Sequence, residues 1–253
     1  MKLLAPLSAL LALTVAAWCA LPAAAGEAPG ASLAQELEGE RYLPIGLTPE
    51  EEAMLDRIGA GHRGSDPATG PVRNPGEFEP MTGVIVRYPW GNPLNLLCEY
   101  AEDVTLWVIV SGPSTQTSAY NALAAAGCNM SHVGFITAST NSIWTRDYGP
   151  WFVADSSHQV GICDFPYNRP RPYDDNIPVV LASQMDIPLY GMNLIHTGGN
   201  WMCEGLGNAS STELVWTENP TLTHQEIDDL VESFLGIENY HVLPDPLGEY
   251  IQH

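Results

Sequence analysis

Residues 83–110 read Gly-Val-Ile-Val-Arg-Tyr-Pro-Trp-Gly-Asn-Pro-Leu-Asn-Leu-Leu-Cys-Glu-Tyr-Ala-Glu-Asp-Val-Thr-Leu-Trp-Val-Ile-Val, and the order of their apolar runs decides the fold class. Val84-Ile85-Val86-Arg87-Tyr88 is a β-branched run of strand length, Asn92-Pro93 opens a helix that continues from Leu94 to Ala101, and residues 104–110 form a second β-rich run. The pattern is strand, helix, strand. Downstream, a second helix is expected over residues 114–126, ended by Gly127, and a further strand over 132–136. Strands are also expected over 150–154, 159–165, 213–217 and 240–243, with a helix over 177–185. Thr223 and Glu226 make a capping box for another helix, which carries Ile227, Leu230, Val231 and Phe234 and closes at Gly236. Strands and helices that alternate in this way specify an α/β fold rather than a helical bundle or a sandwich. No close internal repeat is visible.

The N-terminal flank has a different character. Met1-Lys2, an apolar run over residues 3–20 and Leu21-Pro22-Ala23-Ala24-Ala25 fit the n-region, h-region and small-residue cleavage site of a signal peptide over residues 1–25. A membrane anchor is the competing reading, but the run contains Pro6 and lacks a basic stop-transfer flank. The expected location is therefore secreted or periplasmic, without stable membrane insertion. Residues 26–75 are rich in Gly, Pro, Ala and Glu and read as a partly disordered lead-in segment. Its one strong helix signal is Thr48-Pro49-Glu50-Glu51, with a cap, a Pro at the first helical position and a Glu placed to reach back.

The 253 residues include 9 Lys+Arg against 30 Asp+Glu, for a net charge of −21, so there is no basic footprint for nucleic acid. Such a surface steers cations. Lys2 is the one lysine, and every other fixed positive side chain is one of eight arginines. Beyond Cys19, the cysteines Cys98, Cys128, Cys163 and Cys203 permit three pairings in an oxidising compartment, and their spacing selects none. No Cys-x-x-Cys occurs, and His62, His132, His158, His196, His224 and His241 are scattered, so neither a metal nor a cofactor is expected.

Four stretches carry chemistry-bearing residues in unusual company. In Asn141-Ser142-Ile143-Trp144-Thr145-Arg146-Asp147-Tyr148-Gly149-Pro150-Trp151, aromatics flank an Arg-Asp pair in an expected loop, which could hold a ligand or form a structural ion pair. Asp164-Phe165-Pro166-Tyr167-Asn168-Arg169-Pro170-Arg171-Pro172-Tyr173-Asp174-Asp175 sets two arginines in a proline-stiffened loop. They could clamp a carboxylate, or pair with Asp174 and Asp175. Thr197-Gly198-Gly199-Asn200 allows either close backbone approach or a plain turn. Gly248-Glu249-Tyr250-Ile251-Gln252-His253 is the fourth.

In this order, and together with Glu77-Phe78-Glu79-Pro80-Met81, these stretches resemble the bacterial, Porphyromonas-type peptidyl-arginine deiminase family, which also contains agmatine deiminases. The resemblance runs from about residue 77 to 253. It implies a pentein fold, a five-fold pseudosymmetric α/β propeller of guanidino-group-modifying enzymes, with residues 76–253 as the N-terminal portion of the catalytic domain. It further implies hydrolysis of a guanidinium to a ureido group with release of ammonia. That reaction needs carboxylates to hold a delocalised cation and a strong nucleophile to attack its central carbon.

On this resemblance Asp147 is one guanidinium-binding carboxylate, Trp144 walls the aliphatic stem of the substrate, and His253 is the general acid/base, with Tyr250 and Ile251 binding substrate beside it. The family's second carboxylate follows that His by two residues and its nucleophilic Cys lies further on. Neither is found here, and none of the cysteines present has the nucleophile's context. The expectation is therefore a partial coding sequence, inactive as it stands. Arg169 and Arg171 correspond to a pair that grips the α-carboxylate of a C-terminal arginine, which favours peptidyl-arginine as substrate over agmatine, whose product would be N-carbamoylputrescine. A secreted protein that binds guanidinium ligands without turnover is the reading from another class.

Overall fold

The computed structural model describes residues 43–245. The expected signal peptide, the start of the lead-in segment, and Tyr250, Ile251 and His253 lie outside the described residues. In chain order the first elements are α1 (Pro49–Glu52), β1 (Val72–Arg73), β2 (Gly83–Arg87), α2 (Leu94–Asp103), β3 (Thr105–Val110), α3 (Pro113–Ala126), β4 (Val133–Thr137) and α4 (Thr145–Tyr148). There follow β5 (Trp151–Asp155), β6 (Val160–Asp164), α5 (Pro172–Asp175), α6 (Ile177–Met185) and β7 (Leu189–Gly191). The last are β8 (Met202–Cys203), β9 (Asn208–Thr212), α7 (Leu214–Glu218), α8 (His224–Leu235) and β10 (Asn239–Leu243).

The opening stretch forms the unit its pattern specifies. Strands β2, β3 and β4 pair in that order, all parallel, with Val86 opposite Val108 and Val108 opposite Phe135. Parallel neighbours need a crossover, and α2 and α3 supply it. Leu97 and Ala101 of α2 and Ala119 and Leu123 of α3 pack on Leu106, Val108 and Val110. The opposite face of β3 presents Ile109 to a second cluster with Ile136, Ile162, Ile177 and Leu181. Burial on both faces explains why this strand reads as a continuous apolar run. Helix α3 ends where Gly127 turns left-handed at φ 85°, a conformation that costs glycine nothing. Cys98 of α2 is joined by a disulfide to Cys128, just beyond α3, although the spacing of the cysteines selected no pair.

Two further sheets complete the described residues, one in the order β1-β5-β6-β7 and one in the order β10-β9-β8. They share a core in which Trp151, Phe165, Met192, Leu194 and Trp201 meet Ile227, Val231 and Leu235 of α8. Helix α8 starts with the Thr223–Glu226 capping box and stops at Gly236, as its pattern specifies.

Two expectations are corrected. Residues 213–217 are not a strand, because Leu214 and Val215 bury themselves in the helical turn of α7. Asn219 ties that turn down, donating to the Val215 carbonyl at 2.7 Å and accepting from the Ile195 amide at 2.9 Å. The strand is instead β9, whose Asn-Ala-Ser-Ser-Thr sequence lacks an apolar alternation. Its Ser211 hydroxyl donates to the Asn200 carbonyl at 2.6 Å, and its Thr212 amide to the Asn200 side chain at 2.8 Å. The 141–151 stretch is not all loop, since residues 145–148 close one turn of helix. Of the expected lead-in over residues 26–75, the described part, 43–75, packs on the sheets. Strand β1 is an antiparallel edge on β5, and Asn74 bridges the Phe152 carbonyl at 2.7 Å and the Trp201 indole at 2.9 Å.

Candidate active site

Asp174 organises the first motif. It is fully buried and accepts from the Asn141 amide at 2.7 Å, the Ser142 amide at 3.1 Å and the Ser142 hydroxyl at 2.6 Å. Burial pushes its carboxyl up to about 6 against those hydrogen bonds. Asp175 accepts from the Tyr167 amide at 2.7 Å. Both carboxylates therefore fix loop backbone, and of the two readings of the arginine loop, pairing of Arg171 with these aspartates gives way to its pairing with Glu51.

The turn fixed in this way presents Asp147, which is only 3% exposed. The Gly199 amide donates to its carboxylate, and Gly198 is needed for close approach: a Cβ there would overlap the Arg146 carbonyl oxygen. A plain turn would place no such demand. Burial raises the Asp147 carboxyl to about 6, opposed by the charges of Arg169, Arg146 and Arg171, three of the eight arginines. Arg146, whose charge acts on Asp147, also pairs with Glu77 and donates to the Trp201 carbonyl at 2.8 Å. Asp147 is thus ionised at neutral pH in a place where desolvation disfavours its charge, and an added cation there would stabilise it.

Trp144, Arg169 and Arg171 converge on residues 43–51. The Trp144 indole donates to the Leu43 carbonyl at 3.1 Å. Arg169 donates through Nε and Nη2 to the Ile45 carbonyl at 3.3 and 3.2 Å. Arg171, which is 1% exposed, donates through Nη2 to the carbonyls of Pro44 and Gly46 at 2.8 and 3.0 Å. It also pairs with Glu51, Nε to Oε1 at 2.7 Å and Nη2 to Oε2 at 3.2 Å. Sequence reasoning read Glu51 as part of a helix cap and missed this second role, which links residues 120 positions apart. Arg169 and Arg171 also line a cleft of about 1040 Å³, together with His62, Asp164, Tyr173 and Asp175 among others, but not Asp147 or Trp144.

In that cleft the His62 Nδ1 stands 3.5 Å from Asp164 Oδ2. His196 is buried among Trp151, Phe165 and Trp201, and burial lowers its imidazole to about 4, so it is a core residue. The free thiols of Cys163 and Cys203 are pushed up by burial, the opposite of an activated thiolate. Among the described residues, no group of three or more His, Cys, Asp or Glu is placed to hold a metal, and no helix is long and apolar enough to cross a membrane.

Known proteins share this fold. An agmatine deiminase of Medicago truncatula is 27% identical over 134 residues, which cover 45% of this chain and 36% of that protein. The chain thus spans about a third of the length of the curated relatives it matches. The solved agmatine deiminase of Enterococcus faecalis superimposes with a TM-score of 0.56 at 21% identity, covering 72% of this chain and 57% of that one. The C. jejuni agmatine deiminase gives 0.57 at 16%, with 69% and 56% covered. The fold is therefore part of the five-fold pseudosymmetric pentein propeller of these enzymes. The sequence profile of the Porphyromonas-type peptidyl-arginine deiminases matches residues 74–250, and this chain belongs to that family.

Proposed function

We propose that the whole protein hydrolyses a guanidinium group to a ureido group, releasing ammonia, and that this chain supplies the surface that holds the guanidinium. The observation that carries the reading is the Asp147 carboxylate itself, 3% exposed, accepting from the Gly199 amide and set among the charges of Arg169, Arg146 and Arg171. A guanidinium placed against it forms charge-assisted hydrogen bonds in a desolvated setting. Trp144 walls the substrate stem and adds a cation–π attraction of about 0.5–2 kcal/mol. His253 protonates the departing ammonia and then activates water, while the attacking thiolate is assigned to none of the cysteines in this chain. The apolar run over residues 3–20 supports export of the protein.

The substrate class turns on the two arginines. Arg169 and Arg171 support a peptide ending in arginine, since paired guanidinium forks suit a terminal carboxylate. A carboxylate-free guanidine such as agmatine is the second reading. It is favoured by the pairing of Arg171 with Glu51 and by the names of the curated relatives. The test is ammonia release from agmatine and from Gly-Arg by the whole protein, with and without Asp147→Asn. The substitution should lower kcat/KM for the true substrate at least a hundredfold while the fold is retained. A variant that keeps wild-type turnover contradicts the reading.

A further inference from the structure

Leu43 to Gly46 present successive main-chain carbonyls to Trp144, Arg171 and Arg169, and five residues later the chain delivers a carboxylate to Arg171. Main-chain acceptors followed by a carboxylate are what a bound peptide ending in a free carboxyl group would offer the same donors. The delivery is built. Thr48 caps α1, its hydroxyl accepting from the Glu51 amide at 3.2 Å, while Glu51 Oε2 accepts from the Thr48 amide at 2.9 Å. Glu51 is 5% exposed. Burial pushes its carboxyl up, but the hydrogen bond from Arg171 and the others around it leave it below the usual carboxylate range. The contact is also saturated on one side only: Arg171 uses Nε and Nη2, while Nη1 is buried without a hydrogen-bond partner among the described residues.

We propose that Glu51 is a specificity-determining residue, an internal carboxylate held on Arg171 where a substrate's own carboxylate would bind. The inference rests on the guanidinium reading of Asp147. A guanidine without a carboxylate reaches Asp147 and leaves Glu51 in place. A peptide ending in arginine must first displace Glu51 and the carbonyls of residues 44–46, which compete at the high effective concentration of a tethered group. The two arginines are therefore a conditional clamp, set against terminal carboxylates as the protein stands.

The test uses the whole protein and two probes, agmatine and Gly-Arg. Glu51→Gln keeps the shape of the side chain and removes its charge, and it should raise the ratio of kcat/KM for Gly-Arg over agmatine at least tenfold. An unchanged or lower ratio overturns the proposal, since a purely structural role for Glu51 lowers stability without favouring one probe. If the variant does not fold, hydrogen exchange on the wild-type protein decides. Saturating Gly-Arg should expose the amides of residues 46–52 and agmatine should not; equal protection with both probes overturns the proposal. If neither probe releases ammonia, calorimetry on the same proteins separates the two claims. A tenfold shift in relative affinity upholds Glu51 and removes deimination, while absence of binding by either probe removes both.

Discussion

The unit over residues 83–137 and the region over 141–201, with residues 43–51 laid across it, bury their interiors in opposite ways. The first packs Leu97, Leu106, Val108 and Leu123 between a parallel sheet and two helices, with no charged side chain buried. The second buries Asp147, Asp164, Asp174, Arg169, Arg171 and His196, together with Glu51 from the crossing segment. Apolar burial stabilises a fold by itself, whereas buried charge costs unless it is paired and hydrogen-bonded. Charges concentrate where local rules of sequence design are broken, and such places are commonly functional. The first region has the character of a scaffold, and the second holds the candidate site.

The comparison can be broken most forcefully at Arg171. Arg171→Ala leaves Glu51 buried without its cation and should cost about 3–5 kcal/mol in urea unfolding, while pairing Arg171→Met with Glu51→Leu should recover most of it. A loss below about 1 kcal/mol for the single change would show that the pair does not order residues 43–51. In the scaffold, Leu106→Ala removes packing between β3 and its helices and should cost about 3 kcal/mol. Here the affinity for guanidines should stay as it was, measured under conditions where the variant remains folded. A change in affinity larger than the change in folded fraction would mean that the two regions are not separable.

The same contrast decides what the sequence could convey. Helices α2, α3 and α8 and strands β2, β3 and β4 were legible because short-range signals specify them: β-branched runs, a capping box at Thr223 and glycines at 127 and 236 that end helices. Strand β9 was not, since its small polar residues are held by Asn200 rather than by an apolar face. Helix α7 was misread because Leu214-Val215-Trp216 suits either a strand or a turn until Asn219 ties it down. In the site, Trp144, Asp147, Arg169 and Arg171 stood out as unusual residues in unusual loops. Glu51 did not, because a capping glutamate is ordinary in sequence and its second partner lies 120 residues away. The structural duties of Asp174 were equally hidden, being contacts across 32 and 33 residues.

The proposed guanidinium role of Asp147 stands or falls on its charge. Its carboxyl stands at about 6 in the folded protein against an ordinary 3.8, so the folded state prefers the protonated form. The penalty is absent below about pH 4, grows through pH 6 and is fully present above it, where it amounts to about 2–3 kcal/mol. The deciding measurement is calorimetric titration with agmatine and Gly-Arg from pH 5 to 8 on wild type and Asp147→Asn, with unfolding curves on the same samples. Affinity of the wild type for its ligand should rise as pH passes through about 6, and the variant should bind at least tenfold more weakly at pH 7.5 while being the more stable protein. A variant that binds equally well, or one that is destabilised while the wild-type affinity is flat with pH, would make Asp147 a structural carboxylate and contradict the account.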